Sequence, residues 1–126
     1  MRDKYILNIK MADNIKFPDW QKLELRTAKI LKAEDIEGAD KLYKLSIDLG
    51  KELGKRTLVA GIKPYYTKDE LKGKLCIVFT NLEPRTLRGV ESQGMILAAA
   101  HENKDGKETV RLLQPDKDIE LGSKVR

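Results

Sequence analysis

The sequence predicts an all-β domain, a small barrel of five main strands with one short helix between the third and fourth. Three observations predict it. Short apolar runs of alternating polarity recur along the chain, turn residues separate them, and helical punctuation is read at one place, between Thr67 and Gly73. The 126 residues, 40% of them hydrophobic, suffice for one domain around one core.

The first strand is read in residues 23–33 (LELRTAKILKA). Leu23, Leu25 and Thr27 share one face, and the apolar phase then slips to Ala28 and Ile30. A slip of one residue exchanges the faces of a strand, so a bulge or sharp bend is expected near Thr27. Residues 36–41 (IEGADK) form a turn. In residues 42–49 (LYKLSIDL), Tyr43, Leu45, Ile47 and Leu49 point one way while Lys44, Ser46 and Asp48 point the other. Residues 56–62 (RTLVAGI) are the third strand. Thr67 and Glu70 have capping-box spacing, so TKDELKG makes one helical turn that ends at Gly73. Residues 74–82 (KLCIVFTNL) are almost continuously apolar, as in a strand buried on both faces. GMILAAAH and ETVRLLQ flank the turn NKDG (103–106) and read as a hairpin. This order matches the five-stranded Greek-key barrel called the OB-fold. The pattern alone supports a small β-barrel and leaves its topology open.

Charge narrows the function. The net charge is +5, and residues 51–90 hold nine basic against four acidic side chains, an excess equal to that of the whole chain. A local basic surface is the footprint expected of a nucleic-acid site, although a solvated face has the same composition. No apolar run is long enough to span a membrane, and no signal peptide is read at the N-terminus. The single cysteine, Cys76, excludes an intramolecular disulfide framework, so a cytoplasmic protein is expected. Catalytic residues, a metal site and a cofactor are not expected. His101 is the only histidine, Cys76 sits in an apolar strand, and there is no P-loop or G-x-G-x-x-G.

The most informative stretch is NLEPRTLRGVESQGMILAAA (81–100). Arg85 and Arg88 flank a turn shaped by Pro84 and Gly89, and a guanidinium presents a planar fork of donors to phosphate oxygens. Asn81, Ser92 and Gln93 add neutral hydrogen-bonding groups. Gly94 permits close approach or positive φ, and Met95 either packs on a base or sugar or fills the core. Each also has a structural alternative: Asn81 as a turn cap, Ser92 bonded to its own backbone, Met95 buried.

This stretch, with LRGVESQGMILAA at its centre, resembles the signature of the tRNA-binding domain that occurs at the C-terminus of methionyl-tRNA synthetases. The same domain occurs in freestanding bacterial tRNA-binding proteins and in endothelial-monocyte-activating-polypeptide-like domains. DWQKLELRTAKI (19–30), IEGADKLYKLSIDLG (36–50), RTLVAGIKPYY (56–66) and LLQPDKDIELGSKV (112–125) resemble the family's other blocks in the same order. The resemblance implies an OB-fold that binds tRNA by shape at the outer corner of the L, with little sequence reading. It implies Asn81, Arg85, Arg88, Ser92, Gly94 and Met95 as the principal site, with Lys41, Arg56 and Lys63 as weaker additions; Lys41 has a structural alternative at the turn before the second strand. It further implies a freestanding accessory module or beta subunit of methionyl-tRNA synthetase. That arrangement is a homodimer, to which residues 23–30 and 112–125 are expected to contribute.

The domain is expected over residues 17–126. Residues 1–16 do not match the family's core and are expected to be an N-terminal extension, with Met11 as an alternative start. Two competing readings remain. A secretion-related chaperone of the same family would bind unfolded peptides in an apolar groove at a dimer interface. An OB-fold for single-stranded DNA would want several exposed aromatic platforms, and here Tyr65 and Tyr66 are the only good candidates.

Overall fold

The computed structural model describes residues 12–126. Residues 1–11, most of the expected extension, lie outside the described residues, and residues 12–16 form no regular element. A short helix, α1 (Phe17–Gln21), leads into the long strand β1 (Leu25–Ile36), followed by β2 (Ala39–Asp48) and β3 (Lys55–Ala60). A second short helix, α2 (Lys68–Leu71), precedes β4 (Leu75–Phe79). The chain then forms β5 (Arg85–Leu87), β6 (Val90–Ser92), β7 (Met95–Ile96), β8 (Ala98–Glu102) and β9 (Glu108–Leu112).

The main sheet runs β3-β2-β1-β4-β7, and its paired strands are antiparallel. It closes where the segment between β6 and β7 returns to β3. Gln93 N donates to Thr57 O at 2.8 Å, and Thr57 N donates to Gln93 Oε1 at 3.0 Å. Val59 N donates to Ser92 Oγ at 2.9 Å. The arrangement is the OB-type barrel expected. Closure removes the free edges that an open sheet of this size would present. The core follows from alternation: Tyr43, Leu45, Ile47 and Leu49 of the second strand region all turn inward, against Ala28 and Ile30, Leu58 and Ala60, and Cys76 and Val78.

α2 caps the lower end of the core through Leu71, which is fully buried. Its capping box forms as the spacing predicts, with Thr67 Oγ1 accepting from Glu70 N and Glu70 Oε1 accepting from Thr67 N. Burial pushes the Cys76 thiol up to about 12, as fits a small core residue with no aqueous contact.

Four expectations are corrected in detail. The register of β1 against β4 runs unbroken through Thr27, and the irregularities lie against β2, between Ile30 and Lys32 and between Asp35 and Ile36. Thr27 and Ala28 are both buried because two layers cover β1, the barrel core over Ala28 and the C-terminal segment over Thr27. GMILAAAH is two strands, β7 pairing with β4 and β8 turning away to pair with β9. β4 buries Cys76 and Val78 while Leu75, Ile77 and Phe79 are half-buried, so its second face is only partly covered. Finally, Leu25, Ala28, Ile30 and Leu112, expected to help join two copies, are buried in their own barrel. Leu113 and Ile119 are the large apolar side chains left exposed in the C-terminal stretch.

Candidate nucleic-acid interface

The stretch read as a turn around Pro84 and Gly89 is a hairpin, β5–β6. Arg85 pairs with Ser92, Thr86 with Glu91 and Leu87 with Val90, so Arg88 and Gly89 form a two-residue connection. Both have positive φ, 51° at Arg88 and 80° at Gly89. A hairpin loop of two residues matches strand twist with this hand of backbone, which glycine adopts freely and an arginine adopts at a cost. Arg85 and Arg88 are exposed, and among the described residues neither side chain has a hydrogen-bond or ion-pair partner. Glu91 stands beside Thr86, on the hairpin face opposite Arg85, and so does not sit against that guanidinium.

The root of the hairpin is locked to the barrel. Ser92 is buried, and its hydroxyl accepts from Val59 N and donates to Gly94 O at 3.0 Å. Gly94 has φ 142°, and a Cβ there would lie 2.8 Å from Phe79 O, so a side chain would collide with the neighbouring strand. Arg56 bridges two chain segments, its Nη1 donating to Thr80 O at 2.6 Å and Gln93 O at 3.3 Å. Asn81 ties the end of β4 to the approach of β1, with Oδ1 accepting from Glu24 N at 2.8 Å and Nδ2 donating to Lys22 O at 2.7 Å. Met95 is 44% exposed beside Phe79.

Seven of the nine expected residues therefore gather around one end of the barrel: Asn81, Arg85, Arg88, Ser92, Gly94, Met95 and Arg56. They divide by role. Arg85, Arg88 and Met95 present side chains to solvent, whereas Arg56, Asn81, Ser92 and Gly94 hold the backbone that presents them. Lys41 and Lys63 sit elsewhere. They meet through Lys63 N and Lys41 O at 3.3 Å, near the opposite end of β2 from Ile47, the partner of Arg56. Six residues of strand separate Lys41 from Ile47, roughly 20 Å. Lys63 Nζ lies 3.0 Å from Asp35 Oδ1, and Lys68 Nζ lies 2.8 Å from Asp35 Oδ2. These two ammonium groups, Lys68 foremost, hold the Asp35 carboxyl below its ordinary range. Lys41 is exposed, and among the described residues its side chain has no hydrogen-bond or ion-pair partner.

Gln93 belongs with this group, although its sequence context marks it only as a neutral polar residue. Its amide completes the closing ladder with β3, and nothing in the local pattern signals a side chain that stands in for a strand's carbonyl. The two tyrosines considered as stacking platforms are engaged: Tyr65 OH donates to Glu108 Oε1 at 2.8 Å, and Tyr66 OH accepts from Leu112 N at 3.0 Å. Among the described residues, no group of three or more His, Cys, Asp or Glu side chains is placed to hold a metal ion, and no helix is long and apolar enough to cross a membrane.

Known proteins resemble this chain over most of its length. Methionine–tRNA ligase of Pyrococcus horikoshii is 54% identical over 117 residues, 93% of this chain and 15% of the ligase. That of Caldanaerobacter subterraneus is 50% identical over 113 residues, 90% of this chain and 17% of the ligase. The chain thus spans about one-sixth of these relatives. A solved MetRS-related protein from P. horikoshii superposes with a TM-score of 0.79 at 34% identity, covering 91% of this chain and all of that one. Chaperone CsaA from Bacillus anthracis superposes with a TM-score of 0.78 at 28% identity, covering 90% of this chain and all of that one. The model of the putative tRNA binding domain matches residues 25–124, and the chain belongs to that family.

Proposed function

We propose that this chain is a non-catalytic, cytoplasmic module that binds folded tRNA through the β5–β6 hairpin. It recognises shape with little dependence on sequence, and it serves methionyl-tRNA synthetase as an accessory module or beta subunit. The observation that carries the reading is the pair Arg85 and Arg88, both exposed and, among the described residues, unpartnered on a hairpin whose root is pinned by Ser92, Gln93 and Arg56. Two guanidinium forks on a rigid mount suit two phosphates of a rigid RNA. The synthetase partnership is supported by the ligases that share this segment and by the MetRS-related protein matched over its whole length. In this reading residues 17–126 are the tRNA-binding domain, residues 1–16 are an extension, and the protein is a homodimer. Asn81, Arg56, Ser92 and Gly94 shape the site, Met95 packs on a base or sugar, and Lys41 and Lys63 contribute at a distance.

A second reading, a dimeric chaperone for unfolded peptides, draws on the CsaA resemblance and on an open apolar cleft of about 600 Å³ lined by Ile15, Phe17, Asp19, Trp20 and Leu23. Gel-shift competition separates the two. Folded tRNA should bind and should be displaced poorly by unfolded RNA of the same sequence, by single-stranded DNA or by a reduced, unfolded polypeptide. Equal binding of folded and unstructured RNA contradicts shape reading, and displacement by the polypeptide favours the chaperone.

A further inference from the structure

The β5–β6 hairpin has two unlike faces. Residues directly opposite one another in an antiparallel pair share a face, and faces alternate along each strand. Arg85, Leu87, Val90 and Ser92 therefore lie on one face, and Thr86 and Glu91 on the other. Ser92 is buried and Leu87 and Val90 are half-buried, so their face turns toward the barrel. Thr86 and Glu91 are both exposed, so theirs turns to water. Arg85 reaches solvent from the barrel-side face, and Arg88 stands at the turn.

The hairpin is not free to roll and exchange these faces. Ser92 Oγ accepts from Val59 N at 2.9 Å, and Gln93 is bonded to Thr57 through both its backbone and its side chain. Glu91 directly precedes Ser92, so its carboxylate is held on the outer face. Among the described residues it has no hydrogen-bond or ion-pair partner. It therefore contributes no bond to the fold, and its charge stands unneutralised on the same small element as two guanidinium groups.

We propose that Glu91 is a selectivity residue that bars phosphates from the outer face of the hairpin. This rests on the tRNA reading above and names the residue that separates folded from unstructured RNA. A rigid RNA meets Arg85 and Arg88 from the barrel side and the turn, and its backbone stays clear of Glu91. A flexible single strand follows the hairpin around both faces, and there its phosphates meet the carboxylate. Discrimination of this kind comes from a repulsive contact that only the wrong ligand makes. The repulsion is local, because salt screens exposed charges beyond about 8–10 Å near physiological ionic strength.

The test compares affinities for folded tRNA and for a uridine homopolymer of the same length. The parent, Glu91→Gln and Asp118→Asn are measured, with each fold checked by circular dichroism. Asp118 is an exposed carboxylate of the C-terminal segment, and its neutralisation changes net charge by the same amount. Glu91→Gln should bind the homopolymer about five-fold more tightly, the worth of one close like-charge contact in water, and leave folded tRNA nearly unchanged. The gain should shrink as salt rises, and Asp118→Asn should keep the parent's preference. A parent that binds both RNAs equally overturns the shape reading and this role with it. A parent that prefers folded tRNA, with the preference intact in Glu91→Gln, overturns the role of Glu91 alone. So does an equal gain for both RNAs, an equal effect of Asp118→Asn, or a loss of tRNA affinity in Glu91→Gln.

Discussion

At the scale of single residues, the site separates contact from support, and substitution distinguishes them. Ser92→Ala deletes the acceptor of Val59 N inside a buried corner. An orphaned buried donor costs on the order of 1–3 kcal/mol, so this variant should lose that much stability in a urea titration, and any loss of tRNA binding should accompany it. Arg88→Gly should behave in the reverse way. Holding an L-residue in left-handed backbone costs about 1–2 kcal/mol, while glycine's extra unfolded-chain freedom costs about 0.5–1, so the variant should fold as well as the parent or slightly better. Its tRNA affinity should fall, because the guanidinium is gone. Unchanged affinity in Arg88→Gly would mean that the strained arginine has no part in binding. The arginines were legible as exposed donors around Pro84 and Gly89. The scaffold roles of Arg56 and Asn81 were not, because each depends on carbonyls or amides far away in sequence: Thr80 and Gln93 for Arg56, Lys22 and Glu24 for Asn81.

At the scale of elements, the C-terminal segment is held as an added strand on β1. Thr27 N donates to Ser123 O, Gly122 N to Thr27 O and Val125 N to Leu25 O, while Arg26 bridges to Lys124. Gly50 makes the closeness possible, since a Cβ there would lie 2.6 Å from Leu121 O. Glu24 fastens the charged end, 2.6 Å from Arg26 Nη2 and 3.2 Å from Lys124 Nζ. Arg26 first and Lys124 second hold the Glu24 carboxyl below its ordinary 4.5. A depressed carboxylate stabilises while charged, so its contribution is complete above the ordinary value and is lost as the pH falls through the lower folded one. Amide exchange at Thr27 and Val125 should therefore quicken, relative to β2, as the pH falls below about 4.5. Glu24→Gln should show the quicker exchange already at neutral pH and lose that pH dependence. Identical profiles in parent and variant would remove Glu24 from the fastening. The strands with simple alternation, β2 above all, were legible because one face meets one core. β1 misled at Thr27 because two covers act on it, and strand periodicity assumes one.

At the scale of the molecule, the barrel sets Arg85 and Arg88 at one end on a hairpin whose root is pinned to β3, and the β8–β9 hairpin branches from it. The class of fold was legible from run lengths, turns and one capping box. Closure was not, since it depends on Ser92 and Gln93 meeting β3 across more than thirty residues of chain. The chain's basic excess makes salt dependence the natural signature of RNA binding, because each phosphate contact releases a condensed counterion. The most direct measurement is the affinity of folded tRNA for the parent, Arg85→Ala and Arg88→Ala across a salt series, with each fold checked by circular dichroism. Each substitution should weaken binding by about 1–3 kcal/mol and flatten the salt slope, with the fold unchanged. Folded variants that bind tRNA as the parent does, with the same salt slope, would contradict the assignment of tRNA binding to the β5–β6 hairpin.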